Sequence, residues 1–125
     1  MPRVILDTNI ILYILNNDER TPQIMEIIFK YSQCCISSIT YTTVWYFIEK
    51  WKLDFREAKS CLDTFEILST SSEDCELGFD LAKNEDVEDG VQIAIALNNG
   101  ISNFVTCDKG LYEKYCNNLN IILIP

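Results

Sequence analysis

Short runs of Val, Ile and Leu alternate along the chain with segments whose apolar residues recur at helical spacing. Residues 3–6, 34–37, 103–106 and 120–125 have the length and composition of buried strands, and 65–70 contains a further candidate. Strands of this kind, separated by helices, are typical of a parallel sheet covered on both faces. The pattern predicts an α/β fold with three layers (α/β/α) around a central, mostly parallel sheet of about four to five strands.

Helices are predicted between these strands from the spacing of their apolar residues. In the third, Val44, Phe47, Ile48 and Trp51 recur at i, i+3, i+4 and i+7 and are expected to form one buried stripe. No internal repeat and no linker rich in Pro, Gly or Ser interrupts the sequence. Residues 1–125 are therefore predicted to form a single domain.

The composition excludes several classes of site. The chain has no histidine, which rules out Ser-His and Cys-His nucleophile systems. Its six cysteines form no C-x-x-C pair, so we expect reduced, apolar core residues rather than disulfides or a zinc site. A net charge of −9 disfavours broad attraction to nucleic acid, although a bound cation would reverse the local field. No apolar run approaches the ~20 residues of a membrane helix, and no signal peptide is recognisable, which predicts a cytoplasmic protein without membrane contact.

Acidic residues follow two of the predicted strands and open one predicted helix. Asp7 directly follows the first strand, and Asp108 follows the strand "NFVT" after one residue. Asp86 and Asp89 lie three positions apart at a helix start and share one face of its first turn. Because active sites of parallel sheets form beyond the carboxyl ends of the strands, we expect these acids to converge at one edge. Carboxylates without His or Cys favour Mg²⁺ or Mn²⁺ as the ion that would relieve their repulsion.

Each of these acids also has a purely structural interpretation. Asp7 and Asn9 are typical of an Asx turn and a helix cap. Asp86 is a candidate N-cap, with Asp89 favoured in the first helical turn by the helix dipole. Asp108 begins an ordinary turn sequence. The spacing alone supports a metal site and a set of caps equally.

Two segments together resemble a known family. "VILDTNIIL" and "DVEDGVQIAIALNNGISNFVTCD", with the helices between them, resemble the PIN-domain family of metal-dependent ribonucleases, and most of all the bacterial branch that includes VapC-type toxins. The family's apolar strand followed by D-x-N is matched by Asp7 and Asn9. Its acid that opens a helix before a small, apolar run is matched by Asp89, and its T-x-D by Thr106 and Asp108.

The resemblance implies hydrolysis of RNA phosphodiester bonds with one or two Mg²⁺ or Mn²⁺ ions. In this interpretation Asp7, Asp89 and Asp108 are the catalytic and metal-binding residues. Asn9 and Thr106 would orient them as supporting groups. The same resemblance implies an antitoxin partner and a homodimer.

The sequence departs from the family pattern in the helix after the second strand. The family usually carries a glutamate there, whereas the corresponding residue within "ISSITYTTVWYF" is Thr43. Asp86, Glu85 or Glu88 are candidates to supply the missing carboxylate, although Asp86 is better interpreted as a helix cap. The leading hypothesis is a metal-dependent ribonuclease, and its more specific form is the toxin of a toxin–antitoxin pair. The alternative is a catalytically weak or inactive PIN-like domain that binds RNA or a protein.

Basic and aromatic residues concentrate around the third and fourth predicted helices. Four of the ten basic residues of the chain, candidates for contact with single-stranded or structured RNA, are Lys50, Lys52, Arg56 and Lys59. Lysines suit phosphates, and nearby aromatic rings suit stacked bases. The alternative is a solvated charged face over aromatics that belong to the core. Trp45 and Tyr46 fall off the buried stripe, which predicts a surface for an antitoxin or a second copy of the chain.

Overall fold

The computed structural model describes residues 2–125, in which strands and helices alternate as the sequence predicts. The strands are β1 (Arg3–Leu6), β2 (Gln33–Ser37), β3 (Glu66–Leu68), β4 (Asn103–Thr106) and β5 (Asn120–Leu123). The helices are α1 (Thr8–Leu15), α2 (Thr21–Ile28), α3 (Ser38–Lys50), α4 (Phe55–Leu62), α5 (Ser72–Ala82), α6 (Val87–Asn98) and α7 (Lys109–Tyr115). No helix within residues 2–125 is both long enough and apolar enough to cross a membrane.

The five strands form one parallel sheet in the order β3-β2-β1-β4-β5. From β1 the chain proceeds outward to β3 on one side, and it then places β4 on the other side of β1. In register, Ile5 of β1 is the partner of Cys35 on β2 and of Phe104 on β4. Where the strand order reverses in such a sheet, ligands bind in the crevice beyond the carboxyl ends. The predicted α/β architecture with a parallel sheet is confirmed, and the reversal lies between β1 and β4.

Helices cover both faces of the sheet, and β1 shows how the two cores are divided. Val4 and Leu6 pack into a core with α1, α2, α3 and α4. Ile5, between them in sequence, packs into a second core with α6 and α7. All three side chains are fully buried. Because successive side chains of a strand point to opposite faces, β1 contributes to both cores. This is expected for the central strand of a three-layer structure.

Helices α5 and α6 approach each other at two glycines. A Cβ atom on Gly78 would lie 2.5 Å from the Cα of Val91, and one on Gly90 would lie 2.3 Å from the carbonyl oxygen of Gly78. Atoms cannot approach so closely, so this helix crossing requires glycine at both positions. Because Gly90 directly follows Asp89, the crossing also fixes the backbone that carries this acid.

Two expectations about the core are wrong in part. Cys75 and Cys116 are exposed, whereas Cys35 is buried, and all six cysteines are free. Cys75 follows buried Asp74 on α5 and therefore faces away from the core. Trp51 is 38% exposed, because α3 ends at Lys50 and the helical stripe does not continue through its C-cap.

Candidate active site

Asp7 is both the end of a strand and the start of a helix. Its backbone N–H donates to the carbonyl oxygen of Val105 on β4 at 2.9 Å, which keeps it in line with the sheet. Its side-chain Oδ1 accepts from the backbone N–H of Thr8 at 2.7 Å and caps α1. These two local roles hold the carboxylate at the carboxyl edge of β1, beside β4.

Thr106 at the end of β4 and Asn9 on α1 donate to the other oxygen of Asp7. The Thr106 hydroxyl donates to Oδ2 at 2.7 Å, and the Asn9 side-chain amide donates to the same oxygen at 3.2 Å. Asn9 in turn accepts from the backbone N–H of Cys107 at 3.2 Å. Thr106 Oγ1 also accepts from the backbone N–H of Asp108 at 3.0 Å. The supporting residues predicted from the sequence thus connect Asp7 to the segment that carries Asp108.

Asp108 and Asp89 lie at the starts of two different helices. Asp108 caps α7, with its Oδ1 accepting from the backbone N–H of Leu111 at 3.2 Å. Asp89 lies half-buried in the first turn of α6. The two acids line a cavity of about 400 Å³ together with Asp86 and Tyr115. Both acids therefore have access to one shared space at the edge of the sheet.

Burial and neighbouring carboxylates raise the pKa of Asp7 and of Asp89. Burial is the main reason that the pKa of Asp7, which is only 6% exposed, is raised, and the charges of Asp108 and Glu88 raise it further. Burial also raises the pKa of Asp89 to about 7, and the charges of Asp7, Asp108, Asp86 and Glu88 contribute. Nearby like charges disfavour the ionised form in this way. The acids that were predicted to converge therefore share one electrostatic environment.

A lysine also lines the cavity, but its charge is directed to the backbone. Lys114 Nζ donates to the carbonyl oxygens of Ala82 at 2.6 Å and of Glu85 at 2.9 Å. These carbonyls belong to the end of α5 and to the loop before α6. Lys114 thus stabilises that loop.

The chemistry of these oxygen donors fits a hard divalent cation. Burial is the main cause that raises the pKa of Asp89 to about 7, and a cation would offset the further contribution from repulsion by the neighbouring carboxylates. Within residues 2–125, however, no group of three His, Cys, Asp or Glu side chains is arranged to hold a metal ion as it stands. The oxygens of Asp7 accept hydrogen bonds from Thr8, Thr106 and Asn9. The acids interact electrostatically without forming a preassembled set of ligands.

Asp86 occupies the predicted N-cap position of α6, but its side chain does not cap the helix, so the prediction is wrong in that part. It occupies the N-cap position with φ 52° and ψ 55°, and its side chain makes no cap hydrogen bond to the part of the chain that the structure describes. A side chain caps a helix from an extended backbone, not from the left-handed region. Lys83 and Asn84 also have positive φ, so three of the four residues between α5 and α6 lie in this region. Asp86 instead lines the cavity shared by Asp89 and Asp108.

Thr43, which the family resemblance predicts to occupy the position of the usual glutamate, lies one turn beyond Thr40 on α3 and is half-buried. Thr40 Oγ1 lies 2.9 Å from Thr8 Oγ1, next to Asp7. Because residues three apart share a helix face, Thr43 lies on the side of α3 that faces the candidate site. A glutamate at this position would therefore extend from that same side of the helix.

Sequence reasoning missed Gln92, although a signal was present. Gln92 interrupts the apolar run "GVQIAIA" one turn after Asp89, and it is 1% exposed. Its Nε2 donates to Thr40 Oγ1 at 2.9 Å, but its Oε1 has no hydrogen-bond partner among residues 2–125. The buried Tyr115 hydroxyl is also unpaired within this range. Such a buried group costs about 1–3 kcal/mol, so its presence beside the acids calls for a functional explanation.

The structure does not bring the predicted basic residues to the acids. α3 begins at the carboxyl edge of β2, and Lys50 ends it about 18 Å further along the axis. Lys52 follows in a turn, whereas Arg56 and Lys59 lie on α4, and all four are exposed. Arg56 and Lys59 line a surface recess of about 610 Å³ with Trp45 and Phe55. We call these four basic residues, with Trp45 and Phe55, the α3–α4 patch.

The aromatic rings of the α3–α4 patch are only partly in the core. Trp45 and Phe55 meet edge to face, with ring centroids 5.6 Å apart. Trp45 is half-buried against the core, whereas Phe55 is 55% exposed. Tyr46, one residue further along α3, is 59% exposed. The patch therefore presents both rings and cations to solvent.

Comparison with known proteins establishes the family. The family model of the PIN domain matches residues 4–116, which include all the acids described above. This chain therefore belongs to the PIN domain family, as its resemblance to that family predicts. Among curated proteins, no sequence matches it significantly.

Solved structures with the same fold include toxins and their complexes. A toxin–antitoxin complex from Klebsiella pneumoniae is 20% identical, with a TM-score of 0.77 and 95% of each chain covered. VapBC2 from Rickettsia felis, bound to a DNA fragment from its promoter, is 20% identical, with a TM-score of 0.72 and coverage of 98% of this chain and 99% of that one. VapC20 from Mycobacterium tuberculosis, a sarcin-ricin loop cleaving toxin, is 13% identical, with a TM-score of 0.71 and coverage of 88% and 93%. At these identities, the likeness shows a common fold.

Proposed function

We propose that this chain is a Mg²⁺- or Mn²⁺-dependent endoribonuclease, in which Asp7, Asp89 and Asp108 bind the metal and carry the chemistry. The main support is the pKa of Asp89, which burial and neighbouring carboxylates raise to about 7 at the point where the strand order reverses. Repulsion of this kind is what a bound cation relieves. Membership of the PIN family supports the same conclusion.

Asp7, Asp89 and Asp108 would hold the ion, which when bound supplies a Lewis acid and an activated water for attack on the phosphodiester. Thr106 and Asn9 orient the Asp7 carboxylate through hydrogen bonds at 2.7 and 3.2 Å. A cation held by these residues would favour the ionised form of Asp89, whose pKa burial and neighbouring carboxylates otherwise raise to about 7.

Cleavage assays with single-stranded and structured RNAs test this proposal. We expect the purified protein to cut RNA with Mn²⁺ or Mg²⁺ and not with EDTA. Asp7→Asn and Asp89→Asn should each lower the rate about a hundredfold or more. Asp80→Asn, an exposed acid on α5, is the matched control and should cut normally. Cleavage that persists in EDTA, or in both site variants, would show that the proposed site is wrong.

A second candidate function is a PIN-like domain that binds RNA or a protein with little or no cleavage. It is favoured by Thr43 at the position of the family glutamate, and by the lack of a preassembled metal site in residues 2–125. Under this alternative, Thr43→Glu should tighten Mn²⁺ binding in calorimetry and create cleavage activity. Unchanged affinity would mean that Thr43 does not occupy the position of the missing acid.

We infer that RNA reaches the protein over the α3–α4 patch. On a chain of net charge −9, this patch brings Arg56 and Lys59 beside the rings of Trp45 and Phe55, with Lys50 and Lys52 at and just after the end of α3. Cations on phosphates combined with rings on bases suit single-stranded RNA. Lys50 Nζ already lies 5.9 Å from the centre of the Tyr46 ring.

We also infer a protein partner of the antitoxin kind, since the similar structures from K. pneumoniae and R. felis are toxin–antitoxin complexes. Co-expression with the product of a small neighbouring reading frame should give a stable complex and relieve growth inhibition by this chain. A homodimer stays a prediction: Tyr46 is 59% exposed, whereas Trp45 packs partly against the core. Sedimentation of the purified chain tests it.

A further inference from the structure

Four polar side chains form a hydrogen-bonded cluster between the segments that carry Asp7 and Asp89. At its centre, Thr40 Oγ1 lies 2.9 Å from Thr8 Oγ1, 2.9 Å from Gln92 Nε2 and 3.3 Å from Ser37 Oγ. Ser37 and Thr40 are fully buried, and Gln92 is 1% exposed. Bulk water cannot substitute for these hydrogen bonds, so the side chains must satisfy one another.

The hydrogen atoms of this cluster can be placed one by one. A hydroxyl has one hydrogen to donate and two lone pairs that accept. Thr40 Oγ1 accepts from Gln92 Nε2, and it also accepts from Ser37 Oγ, whose own lone pair is used by the backbone N–H of Thr40 at 3.1 Å. Both lone pairs of Thr40 are therefore occupied, and its hydrogen is directed to Thr8 Oγ1.

Thr8 consequently accepts a hydrogen bond from Thr40 and retains its own hydroxyl hydrogen. Within residues 2–125, Thr40 is the one group hydrogen-bonded to Thr8 Oγ1. Thr8 is half-buried and directly follows Asp7, whose Oδ1 accepts from the Thr8 backbone N–H. The adjacent Asp7 carboxylate, when ionised, can only accept hydrogen bonds. The Thr8 hydroxyl is thus a donor beside an acceptor.

We propose that the Thr8 hydroxyl donates to a phosphate oxygen of bound RNA, and that Gln92 is the positioning residue that, through Thr40, leaves the hydrogen of this hydroxyl free to donate. The inference rests on the proposed function, because it takes RNA as the ligand. It explains why a buried glutamine interrupts an apolar helix one turn after Asp89. A residue selected only for packing would not leave the Gln92 Oε1 atom unpaired.

The affinity of the full chain for a single-stranded RNA oligonucleotide tests the role of Thr8. Ca²⁺ replaces Mn²⁺ in the assay, and a gel checks that the RNA stays intact. Thr8→Val keeps the shape and removes the hydroxyl, so it should weaken binding about tenfold. Thr8→Ser keeps the hydroxyl and should bind within about twofold of the wild type. Calorimetry should show unchanged Mn²⁺ affinity in both variants, since Thr8 acts on RNA and not on the metal.

A double-mutant cycle tests the role of Gln92. Gln92→Met keeps the volume but no longer donates to Thr40, so it should weaken RNA binding about threefold. In the Thr8→Val background the same change should have no further effect, because Gln92 acts through the Thr8 hydroxyl. Asn98→Met removes another inter-helix amide of α6, which donates to Asp74 at 2.7 Å, and should leave RNA affinity unchanged. Thermal unfolding monitors the fold of each variant.

The outcomes separate the two proposals. Wild-type protein that binds neither Mn²⁺ nor RNA would overturn the proposed function and this inference with it. Wild-type RNA binding that Thr8→Val leaves intact would overturn the inference alone. Equal losses from Gln92→Met in both backgrounds would show that Gln92 does not act through Thr8.

Discussion

Helices α5 and α6 pack through their backbones, whereas α3 and α4 pack through large side chains. In the first pair, Gly78 and Gly90 leave no room for a Cβ atom, and residues 90–96 of α6 are all buried. In the second pair, the contact is between the rings of Trp45 and Phe55, with centroids 5.6 Å apart. α3 buries only Thr40, Val44 and Ile48 completely, so much of its surface faces solvent.

This difference in packing matches a difference in charge and in role. Where α5 and α6 cross, their backbones are in contact and have no free space in which to shift. The segment of α6 that carries Asp89 is therefore held in place. Long cations and exposed rings can adapt to a flexible strand of RNA. The rigid pair thus carries an acid of the candidate active site, and the adaptable pair carries the α3–α4 patch.

The largest expected effect is on stability, and it comes from a substitution that disturbs the close crossing of α5 and α6. Gly78→Ala places a methyl group 2.5 Å from the Cα of Val91, and backbone on both sides prevents a local adjustment. We expect the free energy of unfolding to fall by about 3 kcal/mol. Urea denaturation monitored by circular dichroism measures the loss.

Gly110→Ala is the matched control for this substitution. A Cβ atom there would meet only the Asp108 Oδ1 atom, at 3.2 Å, and the helical backbone gains from alanine. The free energy of unfolding should change by no more than about 1 kcal/mol. Equal losses in the two variants would mean that the α5–α6 crossing has no special rigidity.

The second largest effect is the pH dependence of stability that Asp89, the acid on α6, produces. The folded chain keeps a proton on Asp89 up to its pKa of about 7, whereas the unfolded chain loses it near pH 4. Between these values the folded state binds more protons, so this carboxyl makes stability fall as pH rises from about 4 to 7. Asp89→Asn removes this term and should be more stable than the wild type at pH 8, by about 2 kcal/mol after allowance for partial exposure.

Urea denaturation in EDTA at pH 5, 6.5 and 8 checks this dependence. The stability difference between the variant and the wild type should be small at pH 5 and largest at pH 8. Mn²⁺ should then stabilise the wild type more than Asp89→Asn, because the ion binds the folded state through this carboxylate. A difference that is constant with pH would show that the pKa of Asp89 is not raised in the folded chain.

A smaller effect, on RNA binding, is expected when basic residues of the α3–α4 patch are removed. Arg56→Ala combined with Lys59→Ala should weaken binding of single-stranded RNA about tenfold and lower its salt dependence. Lys30→Ala, an exposed lysine beyond the end of α2, is the control and should bind normally. Fluorescence anisotropy over a range of salt concentrations measures both quantities. An unchanged salt slope in the double variant would place RNA elsewhere on the protein.

The sequence was sufficient for the order of strands and helices, because each depends on local spacing of apolar residues. It was also sufficient for the meeting of Asp7 and Asp108, since both follow strands that lie side by side in the sheet. The left-handed backbone of Asp86 could not be predicted, because the residue type at a helix start is that of an ordinary cap. The exposure of Cys75 likewise depends on which face of α5 meets α6, which its own sequence does not specify.

The polar cluster behind the site depends on contacts between distant parts of the chain. Gln92 bonds to Thr40 across 52 positions, and Thr8 meets Thr40 across 32. Neither pairing follows a local spacing rule, so only the packed structure brings them together. The polar interruption of α6 at Gln92 is nevertheless visible in the sequence as a departure from an apolar run.

The smallest expected effect separates binding from stability within the α3–α4 patch. Lys59 forms an ion pair with Asp63 one turn later on the surface of α4, where both side chains are more than half exposed. Exposed pairs of this spacing contribute little to stability, so Lys59→Ala should leave the free energy of unfolding almost unchanged. Asp63→Ala removes the same pair but leaves the cation, so it should cost as little stability while binding RNA at least as tightly as the wild type. If Lys59→Ala and Asp63→Ala weakened RNA binding equally, the ion pair and not the free cation would be what RNA requires, and the patch would serve to position α4.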